Sequence, residues 1–310
     1  MARILVTGAA GFIGTALCPV LAARGHRVVA GLRRAASAPG AAATVILGEI
    51  GPATDWSAAL HAVDVVIHLA QRAHAAAGPG GFAAEPAAVA ALVRAAAASG
   101  ARRLVLLSSI KAMGEATAPG HPFRADREAR PEDAYGRFKL ASERAAAEAA
   151  RGIGLELVVI RPPLVYGPGV RANFRALVRL VDSGWPLPFA AVDNRRSLIA
   201  RDNLVDFIAL AATHPAAAGQ TLLVRDDEDL STPQLIRALA AGMGRKARFF
   251  SVPGALLAML RALPGIGAKL APLTLSLQVD DSPTRTRLGW SPPAVAADVL
   301  AATARDIVRV

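Results

Sequence analysis

The sequence predicts an α/β protein: a doubly wound parallel sheet with helices on both faces, joined to a smaller, discontinuous C-terminal part. Three observations predict it. Short apolar runs alternate with helical stretches as far as Arg161. A glycine-spaced turn joins the first run to the first helix. Beyond Arg161 the alternation loosens, and prolines at 162, 163, 168, 186 and 188 interrupt regular structure.

Arg3 to Thr7 reads as a buried strand. A helical stretch follows to Ala23, with Pro19 past its first turn, where a missing N–H is expected to bend it. Arg24-Gly25-His26 ends that helix. Val28 to Gly31 is the second strand and Thr44 to Leu47 a short third. Asp55 to Ala62 reads as a helix capped by Asp55. Val63 to Leu69 is the fourth strand, 87–98 an alanine-rich helix stopped by Gly100, and Leu104 to Leu107 the fifth strand. The loop 114–131 leads into a long helix carrying Tyr135, and Leu155 to Ile160 is the sixth strand. Later, 172–183 and 202–213 are helical, Leu198-Ile199 and Thr221 to Val224 are short strands, and Ser231-Thr232-Pro233 starts a helix. One domain is therefore expected over 1–161, with returns at about 191–224 and 279–290; a second covers 162–190 and 225–278.

Residues 251–278 are apolar and rich in Leu, Pro and Gly. They could lie on a membrane surface. Without a sustained amphipathic pattern, a pocket wall or an oligomer contact is the preferred reading.

Composition bounds the function. With 53% hydrophobic and 19% charged residues, the chain can bury a core. One cysteine, Cys18, excludes an intrachain disulfide and a thiolate-rich metal site, and suits a reducing cytoplasm. No apolar run is long enough for a transmembrane span, and the N-terminus lacks the form of a signal peptide. The net charge is +11, but the arginines are scattered and Tyr and Trp are few, so no nucleic-acid surface is expected. An anionic small substrate or plain solubility explains the charge better, and an Arg- and Ala-heavy composition also fits a GC-rich genome.

Thr7-Gly8-x-x-Gly11-x-x-Gly14 sits between a strand and a helix. Gly8 permits the tight turn, Gly11 lets backbone approach a pyrophosphate, and Gly14 lets helix and strand pack closely. With the N-terminal N–H groups of the helix, this is a dinucleotide site of Rossmann type. The second strand of such a unit normally ends in an acidic residue for the ribose hydroxyls. Here Gly31-Leu32-Arg33-Arg34 holds no carboxylate, and two guanidinium groups suit a 2′-phosphate. NADP is therefore preferred over NAD, the alternative being a solvated charge pair.

Tyr135 and Lys139 lie four apart on one helix face. A neighbouring ammonium is expected to lower the phenol's pKa, so that the pair can exchange a proton near neutrality. Ser108-Ser109 ends the fifth strand, where ligands of open parallel sheets bind.

Ser109, Tyr135 and Lys139 behind that glycine turn resemble the extended short-chain dehydrogenase/reductase family, of the NAD-dependent epimerase/dehydratase type. The resemblance runs to about Trp290, through Ile67-His68-Leu69-Ala70, Arg161-Pro162-Pro163-Leu164-Val165-Tyr166-Gly167-Pro168 and Leu288-Gly289-Trp290. Ser108-Ser109-Ile110-Lys111, Gly184-Trp185-Pro186-Leu187-Pro188, Asn194-Arg195-Arg196-Ser197 and Asp202-Asn203-Leu204-Val205-Asp206 are most similar to nucleotide-sugar 4-epimerases and 4-ketoreductases. Among these are enzymes that reduce UDP-4-keto-6-deoxy-N-acetylglucosamine to UDP-N-acetylquinovosamine for surface polysaccharide.

The resemblance implies Tyr135 as general acid/base, Lys139 as holder of the nicotinamide ribose, and Ser109 as partner of the sugar C4 oxygen. It implies cofactor contacts from Gly8, Gly11, Phe12, Ile13, Gly14, Arg33, Arg34, Leu69, Ala70 and Pro162, and UDP-sugar contacts from Ser109, Lys111, Asn173 and Arg196. Asn173 could instead cap its helix, and Arg196 could be a surface charge. A homodimer through the helices at 87–98 and 135–150 is implied as well. The sequence departs from the family at Glu85, where an Asn of a proton relay is usual, and at Met113, where epimerases often place Tyr. His68 reads as a packed strand residue and Cys18 as core. The expected function is NADP-dependent 4-keto reduction. The alternatives are a UDP-glucose or UDP-N-acetylglucosamine 4-epimerase with bound NAD, and a non-catalytic dinucleotide sensor on the same fold.

Overall fold

The computed structural model describes residues 1–70, 84–263 and 265–308. Pro264, within the apolar segment, lies outside them.

The chain runs β1 (Arg3–Thr7), α1 (Gly14–Ala23), β2 (Arg27–Leu32), β3 (Ala43–Ile46), α2 (Ser57–Leu60), β4 (Val65–His68), α3 (Glu85–Ala98) and β5 (Arg103–Leu107). It continues through α4 (Ala134–Ala150), β6 (Glu156–Arg161), β7 (Leu164–Tyr166), α5 (Ala172–Asp182), β8 (Leu198–Ala200), α6 (Arg201–Ala211) and β9 (Thr221–Leu223). Five helices close it: α7 (Thr232–Gly242), α8 (Gly254–Arg261), α9 (Gly267–Thr274), α10 (Ser282–Leu288) and α11 (Ala296–Val308).

Seven strands form one sheet in the order β3-β2-β1-β4-β5-β6-β9, every pairing parallel. Strand pleat explains why these runs are apolar throughout. Ile4 and Val6 of β1 enter the core shared with α1 and α6, whereas Leu5 enters the core shared with α3 and α4. Val28, Val29 and Ala30 of β2 divide in the same way. The strand order reverses at β1, so a crevice opens beyond its carboxyl end, next to β4.

A second core lies beside the sheet. Its centre is the two-stranded β7–β8 pair, packed with α5, α7 and α11. Tyr166 is fully buried there and donates to Asp226 Oδ2 at 2.7 Å. Asp226 also accepts from Asn203 Nδ2 at 2.7 Å and from the Ala200 amide, so the buried polar groups are matched.

Several expectations need adjusting. β7, α10 and α11 lie where the sequence showed no regular pattern. The helix expected over 55–62 shrinks to α2, because the Asp55 carboxylate accepts from Ser57 N two residues on and makes a turn, leaving Trp56 at the cap position. α1 continues through Pro19 to Ala23. Asn173 does not cap α5: Arg171 occupies that position and Asn173 is the second residue of the helix.

Gly14 is where α1 meets the end of β1. A Cβ there would stand 2.4 Å from Gly8 O and 2.6 Å from Ala9 Cα, both fixed backbone. Gly14→Ala is therefore expected to lower unfolding free energy by about 1–3 kcal/mol in urea titrations. Gly51→Ala, at a site with nothing within 4 Å, is the control expected to change little.

Candidate active site

The glycine turn lies at the carboxyl end of β1. Gly8 takes φ +71°, and a Cβ on it would come within 2.9 Å of Ala70 N. That close approach places Leu69 and Ala70 beside the turn; Ala70 N donates to Thr7 Oγ1 at 3.3 Å. Gly11 N closes the turn on Gly8 O at 2.9 Å. Among the described residues, the N–H groups of Phe12 and Ile13 meet no acceptor. Unmatched donors at a helix N-terminus, lined by glycine, fit a dinucleotide pyrophosphate. The Phe12 ring lies under the Arg201 guanidinium, 5.3 Å from its centroid.

Arg33 and Arg34 follow β2 and are exposed. The run itself holds no carboxylate, but the fold supplies one: Glu49, just past β3, pairs with Arg33 at 3.2 Å. The parallel β2–β3 register brings it there. Pro162 follows β6, and its carbonyl accepts from Ile110 N at 2.9 Å.

Ser109 lies two residues past β5 and caps a short 3-10 turn at Ile110–Ala112, its hydroxyl accepting from Lys111 N at 3.3 Å. The same hydroxyl hydrogen-bonds the Tyr135 phenol. α4 begins just before Tyr135, capped by Asp133, whose Oδ1 accepts from Gly136 N at 2.6 Å. Gly136 is required for this approach, since a Cβ there would stand 2.2 Å from Lys111 O. One turn on, Lys139 sets Nζ 5.5 Å from the Tyr135 ring centroid and donates to Leu107 O at 3.2 Å. Ser109, Tyr135 and Lys139 thus converge at the end of β5.

The expected acid shift of the phenol is corrected. Burial pushes the Tyr135 pKa up to about 12; the Ser109 hydrogen bond pulls down, and Asp133 and Glu85 push up. Burial lowers the Lys139 pKa to about 8, against the opposing pull of Glu85 and Glu143.

Behind the pair lies a buried network that sequence reasoning missed. Glu143 is gripped by Arg161, which donates from Nε to Oε1 at 3.0 Å and from Nη2 to Oε2 at 2.5 Å, and Ser108 Oγ also donates to Oε1. Arg161 Nη1 also donates to Met113 Sδ at 2.7 Å, which gives that buried methionine its place. The available signal was spacing: Tyr135, Lys139 and Glu143 repeat at four residues along one face of α4.

Lys111 stands beside Ser109, held by Glu115 and Asp133, each at 2.9 Å. Arg196 donates to Leu275 O at 3.0 Å, and burial lowers its pKa to about 10 while Glu115 opposes the shift. Glu115 therefore links Lys111 to Arg196, another residue the sequence did not single out. Asn173 is exposed on α5, and no contact among the described residues ties it to the others. His68 is a packed strand residue: it shares a 2.9 Å hydrogen bond with Thr7, and burial drives its pKa down to about 3. Cys18 is core, its thiol pushed up to about 11 by burial. No metal-binding group of side chains occurs among the described residues, nor any helix long and apolar enough to cross a membrane.

Residues 4–224 match the family model described as NAD dependent epimerase/dehydratase family. The chain belongs to that family. It is an enzyme of that family, which removes the non-catalytic alternative. A UDP-glucose 4-epimerase of Vibrio cholerae is 38% identical over 316 residues, covering 99% of this chain and 95% of that protein. Among solved structures, MoeE5 in complex with UDP-glucuronic acid and NAD is similar at TM-score 0.79 and 25% identity, covering 99% of both chains. A UDP-N-acetylglucosamine 4-epimerase from Bacillus cereus shares the fold at TM-score 0.79, 17% identity and 99% coverage of both chains.

The two tyrosines of this enzyme make its phenol chemistry directly readable. Tyr135 is raised to about 12, and Tyr166, buried against Asp226, is raised further. Titration of the folded protein at 295 nm is expected to show no tyrosinate until well above the ordinary value of about 10. A group whose folded pKa is raised loses its stabilising contribution as pH climbs, so stability is expected to fall between about 10 and 12. A full tyrosinate signal at pH ~10 in the folded state contradicts the geometry.

Proposed function

We propose that the enzyme uses NADPH to reduce the 4-keto group of a UDP-linked 6-deoxy-hexosamine, UDP-4-keto-6-deoxy-N-acetylglucosamine, giving UDP-N-acetylquinovosamine for surface polysaccharide. One arrangement supports the reading: the half-buried Tyr135 phenol is hydrogen-bonded to Ser109 just past β5, with its pKa raised to about 12, chiefly by desolvation. A protonated phenol is ready to give a proton to a carbonyl oxygen and poor at taking one from an alcohol.

In this reading Ser109 hydrogen-bonds the C4 oxygen and holds it against Tyr135. The dinucleotide, when bound, supplies the hydride to C4. Tyr135 transfers its proton to the developing alkoxide, so that charge does not accumulate on C4 oxygen. Lys139, with a pKa near 8 and its Nζ 5.5 Å from the phenol ring centroid, would steady the phenolate left behind and would hold the ribose hydroxyls. Gly8, Gly11, Phe12, Ile13 and Gly14 would hold the pyrophosphate, Leu69, Ala70 and Pro162 would flank the nicotinamide half, and Arg33 with Arg34 would take a 2′-phosphate. Lys111, Asn173 and Arg196 would face the UDP portion, where guanidinium and ammonium groups suit a diphosphate. The β7–β8 unit with α5, α7, α8 and α9 would form the substrate part of the molecule. A homodimer through α3 and α4 and a cytoplasmic site of action belong to the same proposal.

A second reading, a UDP-glucose or UDP-N-acetylglucosamine 4-epimerase with bound NAD, is favoured by two observations. Likeness to the Vibrio cholerae protein extends over nearly the whole chain. Glu49 beside Arg33 also offers a carboxylate near the end of β2, of the kind that takes ribose hydroxyls. Stoichiometric NAD released on denaturing the purified protein would favour this reading over the first.

Tyr135→Phe is expected to leave dinucleotide affinity intact and lower kcat by about 10²–10⁴ in single-turnover assays. Turnover at the parent rate would remove Tyr135 from the chemistry. Replacing both Arg33 and Arg34 by Ala is expected to raise the Kd for NADPH by about 10- to 100-fold, measured by fluorescence titration, with NADH affected far less. Equal losses for the two dinucleotides would reject a 2′-phosphate site.

A further inference from the structure

The segment 251–278 was expected to wall a pocket or to meet another subunit. The structure turns much of its apolar surface outward. α8 places Leu257 in the second core, and the opposite side of the helix carries Leu256 and Met259, continued by Leu263 just past its end. These three fall at i, i+3 and i+7, one stripe of a helix. Met259 is 60% exposed. Ile266, at the start of α9, is exposed as well, and α8 and α9 pack on each other as a short helical pair.

Two exposed aromatics flank the entry to this pair. Leu187 bridges to Phe249, donating to Arg248 O at 2.9 Å and accepting from Phe250 N at 3.0 Å. That bridge sets the 185–187 stretch alongside residues 248–250, which lead toward α8. Trp185, two residues before the bridge, is 74% exposed, and Phe250, one residue after it, is exposed too. Exposed apolar side chains grouped in this way mark an interaction surface.

Charge decides what kind. From Ser231 to Val279 the chain carries six Lys or Arg residues and no Asp or Glu, although 24 acidic residues occur in the whole protein. Lys246, Arg248 and Lys269 are exposed beside the apolar stripe. A second copy docking face to face would set this positive run against itself, because a two-fold interface pairs each patch with its equal. An anionic lipid surface complements both features: headgroups meet the cations, and acyl chains take Leu, Met, Ile and the interfacial Trp.

We propose that α8, α9 and the Trp185–Phe250 edge form a docking surface for an anionic lipid bilayer, on which the enzyme rests without crossing it. Leu275, the residue that follows α9, has the carbonyl that receives the Arg196 guanidinium, so the docked helices adjoin Arg196. Each basic residue near an anionic surface contributes about fivefold in partitioning.

The test is co-sedimentation of the full chain with vesicles, an assay that needs no turnover and is independent of the sugar assigned above. Vesicles of phosphatidylcholine with about one-third phosphatidylglycerol are expected to bind the protein, vesicles of phosphatidylcholine alone to bind it at least about tenfold less, and added salt to release it. Leu256→Glu with Met259→Glu is expected to reduce binding about tenfold or more. Lys246→Ser with Arg248→Ser leaves the apolar stripe untouched and is expected to reduce it by a similar factor, which guards against misfolding of the first variant. Thermal melts of both are expected to match the parent. Failure of the parent to bind the anionic vesicles, binding insensitive to both variants, or light scattering in which Met259→Glu turns a dimer into a monomer would each overturn the proposal.

Discussion

The site depends first on the buried ion pair between Glu143 and Arg161. It joins the middle of α4 to the end of β6, while Ser108 ties the same carboxylate to the end of β5. Burying both charges is costly, and the pair is offset by a two-pronged contact: Arg161 reaches both carboxylate oxygens of Glu143, and Ser108 adds a second donor to Oε1. With either Glu143 or Arg161 removed, a charge would be stranded in the core at a cost of about 3–5 kcal/mol. The consequence is positional: α4 is pinned to two strand ends, and its inner face delivers Tyr135 and Lys139 to the crevice.

Around that anchor, electrostatics sets the chemistry. Tyr135, Lys139 and Glu143 share one helical face, and Glu85 reaches the same space from α3. Asp133 and Glu85 bring negative charge toward the phenol, and partial burial desolvates it. Both effects favour the neutral phenol over the phenolate. A tyrosine beside a lysine is often read as an activated base, but here the neighbours of the neighbour matter. Lys139 is itself pushed toward neutrality by burial and turns Nζ to the Leu107 carbonyl.

Much of this was legible in the chain. The glycine turn between an apolar run and a helix, the four-residue spacing of Tyr135 and Lys139, and Ser109 at a strand end all survive intact as geometry. Their signals are local, carried by periodicity and by residues with special backbone freedom. The third residue of the stripe, Glu143, had the same spacing and was overlooked because its partner, Arg161, lies 18 residues on in another element. Glu49 beside Arg33 was invisible for a similar reason: a parallel register, not proximity in sequence, brings them together.

By itself, then, the sequence determined the alternating parallel fold, the dinucleotide turn and the residues that could exchange a proton, because each follows from short-range pattern. Only the tertiary structure decided how those residues are tuned. The protonation of Tyr135, the pairing of Arg33 and the outward face of α8 depend on burial and on charges brought from distant segments. Desolvation and Coulomb interactions act through space, so they appear only once the chain has folded.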